Sequence, residues 1–272
     1  MTAAGLYEKI RRKKSFLCVG LDTDIEKIPR HLQSAASPVL EFNKRIIDAT
    51  HDLAIAYKPN LAFYEARGAA GWNDLKKTIE YIRSVDPDIF LIADAKRGDI
   101  GNTAAMYAKA FFGEMDFDAV TLSPYMGKDS ITPFLEYEGK WVVVLGLTSN
   151  PGAEDFQFLP VGSGKARLFE AVLHQGSGWG NPDQVMFVVG ATRADLIRGI
   201  RNIVPAHFLL IPGIGAQGGS LREVVDAGMT DQCGLIVNAS RSILYAGEDE
   251  GFEMAARKAS TDLQREMARY LP

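Results

Sequence analysis

Ile89-Phe90-Leu91-Ile92-Ala93-Asp94-Ala95-Lys96-Arg97-Gly98-Asp99-Ile100, with Thr103 three residues further on, is an apolar run that ends in alternating acid and base. The apolar half reads as a buried strand. Side chains alternate faces along a strand, so Phe90, Ile92, Asp94 and Lys96 share one face, and Asp94 and Lys96 project together where the apolar run stops. Asp99 lies beyond the strand, just before a stretch (Asn102 to Phe112) that reads as helical, and spacing alone leaves its direction open. A strand that ends in charge and hands over to a helix is the unit to look for elsewhere in the chain.

Similar apolar, β-branched runs recur around 16–21, 53–57, 118–122, 141–147, 185–189, 207–211 and 234–237, with helix-compatible segments between most of them. With 89–93 these make eight strands. Strands alternating with helices imply right-handed parallel crossovers, and eight such units in about 250 residues predict a single closed (β/α)8 TIM barrel. No Ser/Gly linker, repeat or low-complexity tract divides the chain, so one domain over residues 1–272 is expected. The segment from Ser149 to Gly164 is the longest irregular stretch, rich in Gly, Pro and acids, and is placed to cover the barrel mouth.

Barrel active sites are built where strands end at their C-terminal side. The residues there are Asp22, Lys58 with Asn60, Asp94 with Lys96, Ser123, Thr148 with Ser149, Pro212-Gly213-Ile214-Gly215, and Asn238 with Ser240 and Arg241. Charged groups meeting at one end of five strands are costly to assemble for stability alone, which favours a site over a solvated face. Gly213-Ile214-Gly215-Ala216-Gln217-Gly218 fits the spacing of a dinucleotide-binding turn, but the next strand ends in Asn238 rather than the acid a ribose diol requires. Placed after strand seven, with Ser240 and Arg241 after strand eight, the turn suits an anion cradle of backbone amides and one guanidinium.

Composition narrows the chemistry. The chain has 272 residues, 47% hydrophobic and 24% charged, with a formal net charge of -4, which argues against a general nucleic-acid or membrane-surface binder. The one basic block, Arg11-Arg12-Lys13-Lys14, reads as solvation of a first helix. No window approaches the roughly 18 apolar residues of a membrane span and no signal-peptide core is present, so a soluble cytoplasmic protein is expected. Cys18 and Cys233 both fall in apolar strand-like runs and read as reduced core thiols. The four histidines are scattered. Catalysis is therefore expected to run on lysines and carboxylates, with no metal and no cofactor.

The segment LIADAKRGDIGNT (Leu91 to Thr103) resembles the signature of the orotidine 5'-phosphate decarboxylase family, Asp-x-Lys-x-x-Asp-Ile-x-x-Thr, at every position. VGLD (Val19 to Asp22), YKPN (Tyr57 to Asn60), TSNPGA (Thr148 to Ala153), PGIGAQGG (Pro212 to Gly219) and NASRS (Asn238 to Ser242) are similar to its other site segments, in the same order, and the chain is closest in pattern to the longer bacterial branch. The resemblance implies decarboxylation of orotidine 5'-monophosphate to UMP, the last step of de novo pyrimidine nucleotide synthesis. It implies a ribose and charge network of Asp22, Lys58, Asp94 and Lys96, completed by Asp99, Ile100 and Thr103 from the other subunit of a homodimer. It also implies that Ser149 reads the pyrimidine edge, that Pro212 borders the site, and that Gln217 and Arg241 hold the phosphate with the backbone of Gly215 and Ser240. Shorter relatives commonly carry glycine where this chain has Ser240. Two other readings stay open: a Mg2+-dependent enzyme of the same barrel group acting on keto-sugar phosphates, and a non-catalytic nucleotide-binding dimer.

Overall fold

Eight parallel strands pair in sequence order and the eighth closes on the first. They are β1 (Leu17–Gly20), β2 (Ala56–Lys58), β3 (Phe90–Arg97), β4 (Ala119–Leu122), β5 (Trp141–Leu147), β6 (Val185–Val189), β7 (Leu209–Pro212) and β8 (Leu235–Ala239). Helices separate successive strands, giving the expected (β/α)8 barrel. The computed structural model describes residues 1–164, 166–190, 194–214 and 220–272.

The strands are buried nearly throughout, as a parallel sheet covered by helices requires. The covering helices show why their sequences were legible. Pro38–Thr50 buries Val39, Leu40, Phe42, Asn43, Ile46, Ile47 and Thr50, spacings of three and four that form one stripe. Two strands differ from the sequence reading by three residues or more at one end. β2 starts later than residue 53 because the helix before it ends in a turn in which Leu53 and Ala54 donate to Thr50 O. β3 runs four residues past the apolar segment, to Arg97. The helix after β3 covers Gly101–Ala108 and then widens into a π-helical turn over Lys109–Glu114.

The first helix, Ala3–Lys13, lies against the N-terminal ends of the strands. Lys13 Nζ donates to His51 O (2.6 Å), Ala54 O (2.9 Å) and Asp86 Oδ2 (2.7 Å), all shortly before β2 or β3. Trp141 Nε1, at the start of β5, donates to Met1 O (2.7 Å). Lys13 therefore departs from the solvating role expected of its basic run. Spacing could not show this, because its partners come from two distant turns. Cys18 and Cys233 are buried free thiols, as expected, and burial pushes both up to about 12.

At the same end, Arg201 spends its donors on four carbonyls, those of Val204, His207, Gly228 and Gly234, at 2.7–2.9 Å. His207 is 6% exposed, packs against Phe187, and neither ring nitrogen has a hydrogen-bond partner among the described residues. Burial first, then the Arg201 charge, push its pKa below the ordinary histidine value. The folded protein thus keeps His207 neutral where the unfolded chain, titrating near about 6.5, takes up a proton. Its contribution is intact above that pH and declines below it, by up to about 1.4 kcal/mol per pH unit. Denaturant midpoints for His207→Leu should accordingly fall less steeply between pH 7 and 5 than those of the unsubstituted protein. Parallel slopes would show that His207 is not the group responsible.

Candidate active site

Lys58 ends β2 with its side chain 5% exposed, and its ammonium lies 2.8 Å from Asp94 Oδ2 and 4.0 Å from Asp22 Oδ1. The second oxygen of Asp94 accepts from Lys96 Nζ at 2.5 Å. One carboxylate on β3 is thus held between two ammonium groups, with a second carboxylate after β1 behind them. Burial alone would push Lys58 down, but Asp94 and then Asp22 reverse this and hold it above the ordinary lysine range. Burial alone would push Asp94 up, but Lys58 and then Lys96 hold it well below the usual carboxylate range. Lys58 and Asp94 are therefore both charged at neutral pH, and the Lys96 side chain, half exposed, is the one turned toward open space.

Asp94 and Lys96 do meet, as strand periodicity predicts, but by another route. From Ala93 to Arg97 β3 advances four residues while β4 advances two, from Val120 to Leu122. Lys96 sits in this bulge with φ +46°, a left-handed conformation costly for a side chain of its kind. Thr121 of β4 fills the irregular ladder: its Oγ1 accepts from Lys96 N at 2.9 Å and donates to Asp94 Oδ1 at 3.1 Å. Sequence reading missed Thr121, since a β-branched residue inside Ala119-Val120-Thr121-Leu122 reads as a strand former. Its one available signal was a hydroxyl among apolar neighbours on the strand next to the charged one.

The charge array borders two adjoining cavities. One, of about 270 Å3, is lined by Asp22, Lys58, Asn60, Asp94, Lys96, Pro212, Gly213, Ile214, Asn238, Ser240 and Arg241. The other, of about 220 Å3, shares Lys58, Asp94, Lys96 and Pro212 and adds Thr121, Leu145, Thr148, Ser149, Asn150, Val188 and Leu210. Arg241 and Ser240 therefore lie at one end, Ser149 at the other, and Lys96 between. Arg241 is exposed and forms no ion pair among the described residues. The first cavity ends in a cation; the second has a largely aliphatic wall.

Two glycines permit these positions. A Cβ on Gly20 would overlap Ser240 Oγ outright and come within 3.1 Å of Asn238 Oδ1. With that space free, Ser240 Oγ accepts from Asn238 Nδ2 at 3.2 Å, so a serine fits where shorter relatives carry glycine. A Cβ on Gly190 would come within 2.9 Å of Ser149 N and 2.8 Å of its Cβ, so the residue that follows β6 must be glycine for Ser149 to reach the cavity. Asn60, also in the lining, caps the helix Leu61–Glu65 by accepting from Ala62 N.

Asp99, Ile100 and Thr103 line neither cavity of their own chain. Asp99 Oδ1 accepts from Ile100 N at 2.8 Å, Ile100 is 48% exposed, and Thr103 is exposed. Gly215 and Gln217 fall outside the described residues. The long segment after β5 is pinned at its root, where Gln157 Oε1 accepts from Thr148 N and Gln157 Nε2 donates to Thr148 Oγ1, both at 2.8 Å. Phe156 and Leu159 on it are exposed.

A model of the Orotidine 5'-phosphate decarboxylase / HUMPS family matches residues 15–256. The chain belongs to this family. It is 59% identical over 271 residues to an orotidine 5'-phosphate decarboxylase of Bacteroides fragilis, covering 100% of this chain and 98% of that one. It is 57% identical to that of Phocaeicola vulgatus, covering 100% and 99%. Among solved structures, the OMP decarboxylase of Leishmania donovani superposes with a TM-score of 0.85 at 39% identity, covering 99% of each chain.

Removing the Asp94 carboxylate leaves the buried Lys58 ammonium facing a second ammonium with its nearest counter-ion gone. Asp94→Asn should therefore cost about 3–5 kcal/mol of stability, the range for breaking a buried pair. Thermal unfolding tests this, and an unchanged midpoint would mean the three groups do not form one charged unit.

Proposed function

We propose that the chain converts orotidine 5'-monophosphate to UMP and CO2 without a cofactor, with Lys96 as the group that acts at C6 and residues 1–272 working as one barrel domain. The observation that carries the reading is Lys96 itself. It is an ammonium anchored to Asp94 yet half exposed to a cavity that ends in Arg241, which forms no ion pair among the described residues. A nucleotide laid along the two cavities puts its phosphate at Arg241 and Ser240, its ribose against Asp22, Lys58 and Asn60, and its base toward Ser149. Gln217 and Gly215 complete the phosphate cradle, and Pro212 forms the wall common to both cavities.

The chemistry fits those groups. The C6 to carboxylate bond breaks, CO2 leaves, and the electron pair stays on C6, where no ring position delocalises it well. Preorganised positive charge is the available stabiliser. Lys96 meets the developing carbanion with its ammonium and then transfers a proton to C6; solvent returns one to Lys96. Asp94, held between Lys58 and Lys96, keeps Lys96 charged and aimed. Repulsion between Asp94 and the substrate carboxylate contributes less: unit charges about 4 Å apart at an effective dielectric of ~20 repel by ~4 kcal/mol. Enzymes typically lower barriers by about 8 to 23 kcal/mol. The larger share falls to transition-state stabilisation and to binding energy from the remote phosphate.

The working unit is a homodimer with shared sites, in which Asp99, Ile100 and Thr103 serve the partner's cavity. Their position outside their own chain's cavities supports this, as do the exposed apolar side chains nearby, Ile100, Met106, Tyr125 and Met126. Partners are a small-molecule substrate and a second copy, with neither nucleic acid nor membrane, in the cytoplasm. Among the described residues, no helix is long and apolar enough to cross a membrane.

Loss of orotate-ring absorbance should proceed at full rate in excess EDTA, and inhibition reversed by Mg2+ would move the reading to the metal-dependent branch. Arg241→Ala should weaken the phosphorylated substrate far more than the nucleoside, whereas equal losses would remove Arg241 from the phosphate. Lys96→Ala and Asp99→Ala subunits, each inactive alone, should regain activity when mixed, because one site of the mixed dimer is intact. No recovery would place Asp99 in its own chain's site.

A further inference from the structure

We infer that Thr121 is a positioning residue for the reaction, and that its hydroxyl holds Lys96 and Asp94 in register with each other. The inference rests on the proposed role of Lys96. Thr121 is 1% exposed, on a strand that contributes no charged group to the site. Its hydroxyl is committed at both ends. The Lys96 N–H can only donate, so Oγ1 accepts there, and the hydroxyl proton is left for Asp94 Oδ1. Asp94 Oδ1 in turn accepts from Lys96 Nζ. A closed circuit results: Lys96 backbone to Thr121, Thr121 to Asp94, Asp94 back to the Lys96 side chain.

The circuit matters because Lys96 is where the backbone is least self-supporting. It occupies a left-handed conformation, and β3 there runs two residues ahead of β4 between Ala93 and Arg97, so the regular ladder is interrupted beside it. Such a conformation persists only where its surroundings fix it. The Thr121 hydroxyl supplies the acceptor that the ladder does not, and the same oxygen fixes which rotamer of Asp94 faces Lys96. Small misplacements of a reacting group cost large factors in rate. Loss of this hydroxyl should therefore appear in turnover rather than in substrate affinity, since the phosphate contacts at Arg241 and Ser240 lie in the other cavity.

Thr121→Val keeps the shape of the side chain and removes only the hydroxyl, and Thr121→Ser keeps the hydroxyl. We expect the valine variant to lose about 10- to 100-fold in kcat with KM changed less than about threefold, and the serine variant to recover kcat to within about threefold. Thr50→Val is the control, because Thr50 is equally buried and donates to Ile46 O outside both cavities. It should lower the unfolding temperature comparably with kcat unchanged. Wild-type kcat in Thr121→Val, a loss confined to KM, failure of serine to recover activity, or an equal kcat loss in Thr50→Val would each overturn the inference. Should the valine variant not fold, Thr121→Cys against Thr121→Ser gives the same comparison. If the unsubstituted protein fails to consume orotidine 5'-monophosphate, it is the proposed function that falls, a result distinct from all of these.

Discussion

The site depends on one electrostatic constraint: Asp94 must stay ionised between two ammonium groups while largely withdrawn from water. Burying any one of these ions alone costs several kcal/mol. Here each is offset by the next, Lys58 by Asp94 at 2.8 Å and Asp94 also by Lys96. The ends of β1, β2 and β3 are tied to this balance, because Asp22, Lys58 and Asp94 must converge from three strands. Backbone bonds hold the strands at that spacing: Asp94 N donates to Pro59 O and Leu21 N to Lys58 O, both at 3.0 Å. The charged centre and the sheet beneath it therefore impose the same geometry.

A second constraint is space. A cation at one end of the cavity and a hydroxyl at the other must come close to strands belonging to different parts of the sequence. Gly20 lets Asn238 and Ser240, more than two hundred residues later, lie against β1; Gly190 lets Ser149 pack against the end of β6. Both are close approaches rather than turns. The substituent at residue 240 and the absence of one at residue 20 are thus a single feature: a serine hydroxyl occupies the volume a Cβ would need.

The barrel was legible because each strand is a short apolar run followed by a helical stripe, signals that survive without tertiary information. The charged strand ends were legible for the same reason, since the barrel rule converts strand order into location. What lay out of reach depended on partners from other strands. Lys13 reads as a solvated base but is claimed by two carbonyls and Asp86. Thr121 reads as a strand former, and its role exists only because β3 bulges opposite it. The left-handed turn at Lys96 has no local signature, as neither glycine nor asparagine marks it. The separation of Asp99 from Lys96 was open to spacing alone, and only the family resemblance assigned the two halves of the motif to different subunits.

Arg97 gives the proposed division a physical basis. Of the charges in the motif it alone has no part in the proposed chemistry, yet it too is anchored. It donates to Ala95 O at 2.9 Å, pairs with Glu65 on the helix after β2, and lies over the rings of Tyr107 and Phe111 at 5.3 and 5.7 Å. Its carbonyl accepts from Ser123 N at 2.7 Å, fixing the last residue of β3 to the loop after β4. Everything before this anchor is held in the barrel mouth by the Asp94 and Thr121 contacts, and everything after it leaves along the helix that presents Ile100, Thr103 and Met106 to the outside. A motif of ten residues can reach in two directions only if its middle is immobile. The arginine between Lys96 and Asp99 supplies that immobility through packing and hydrogen bonds that no spacing rule would assign to it.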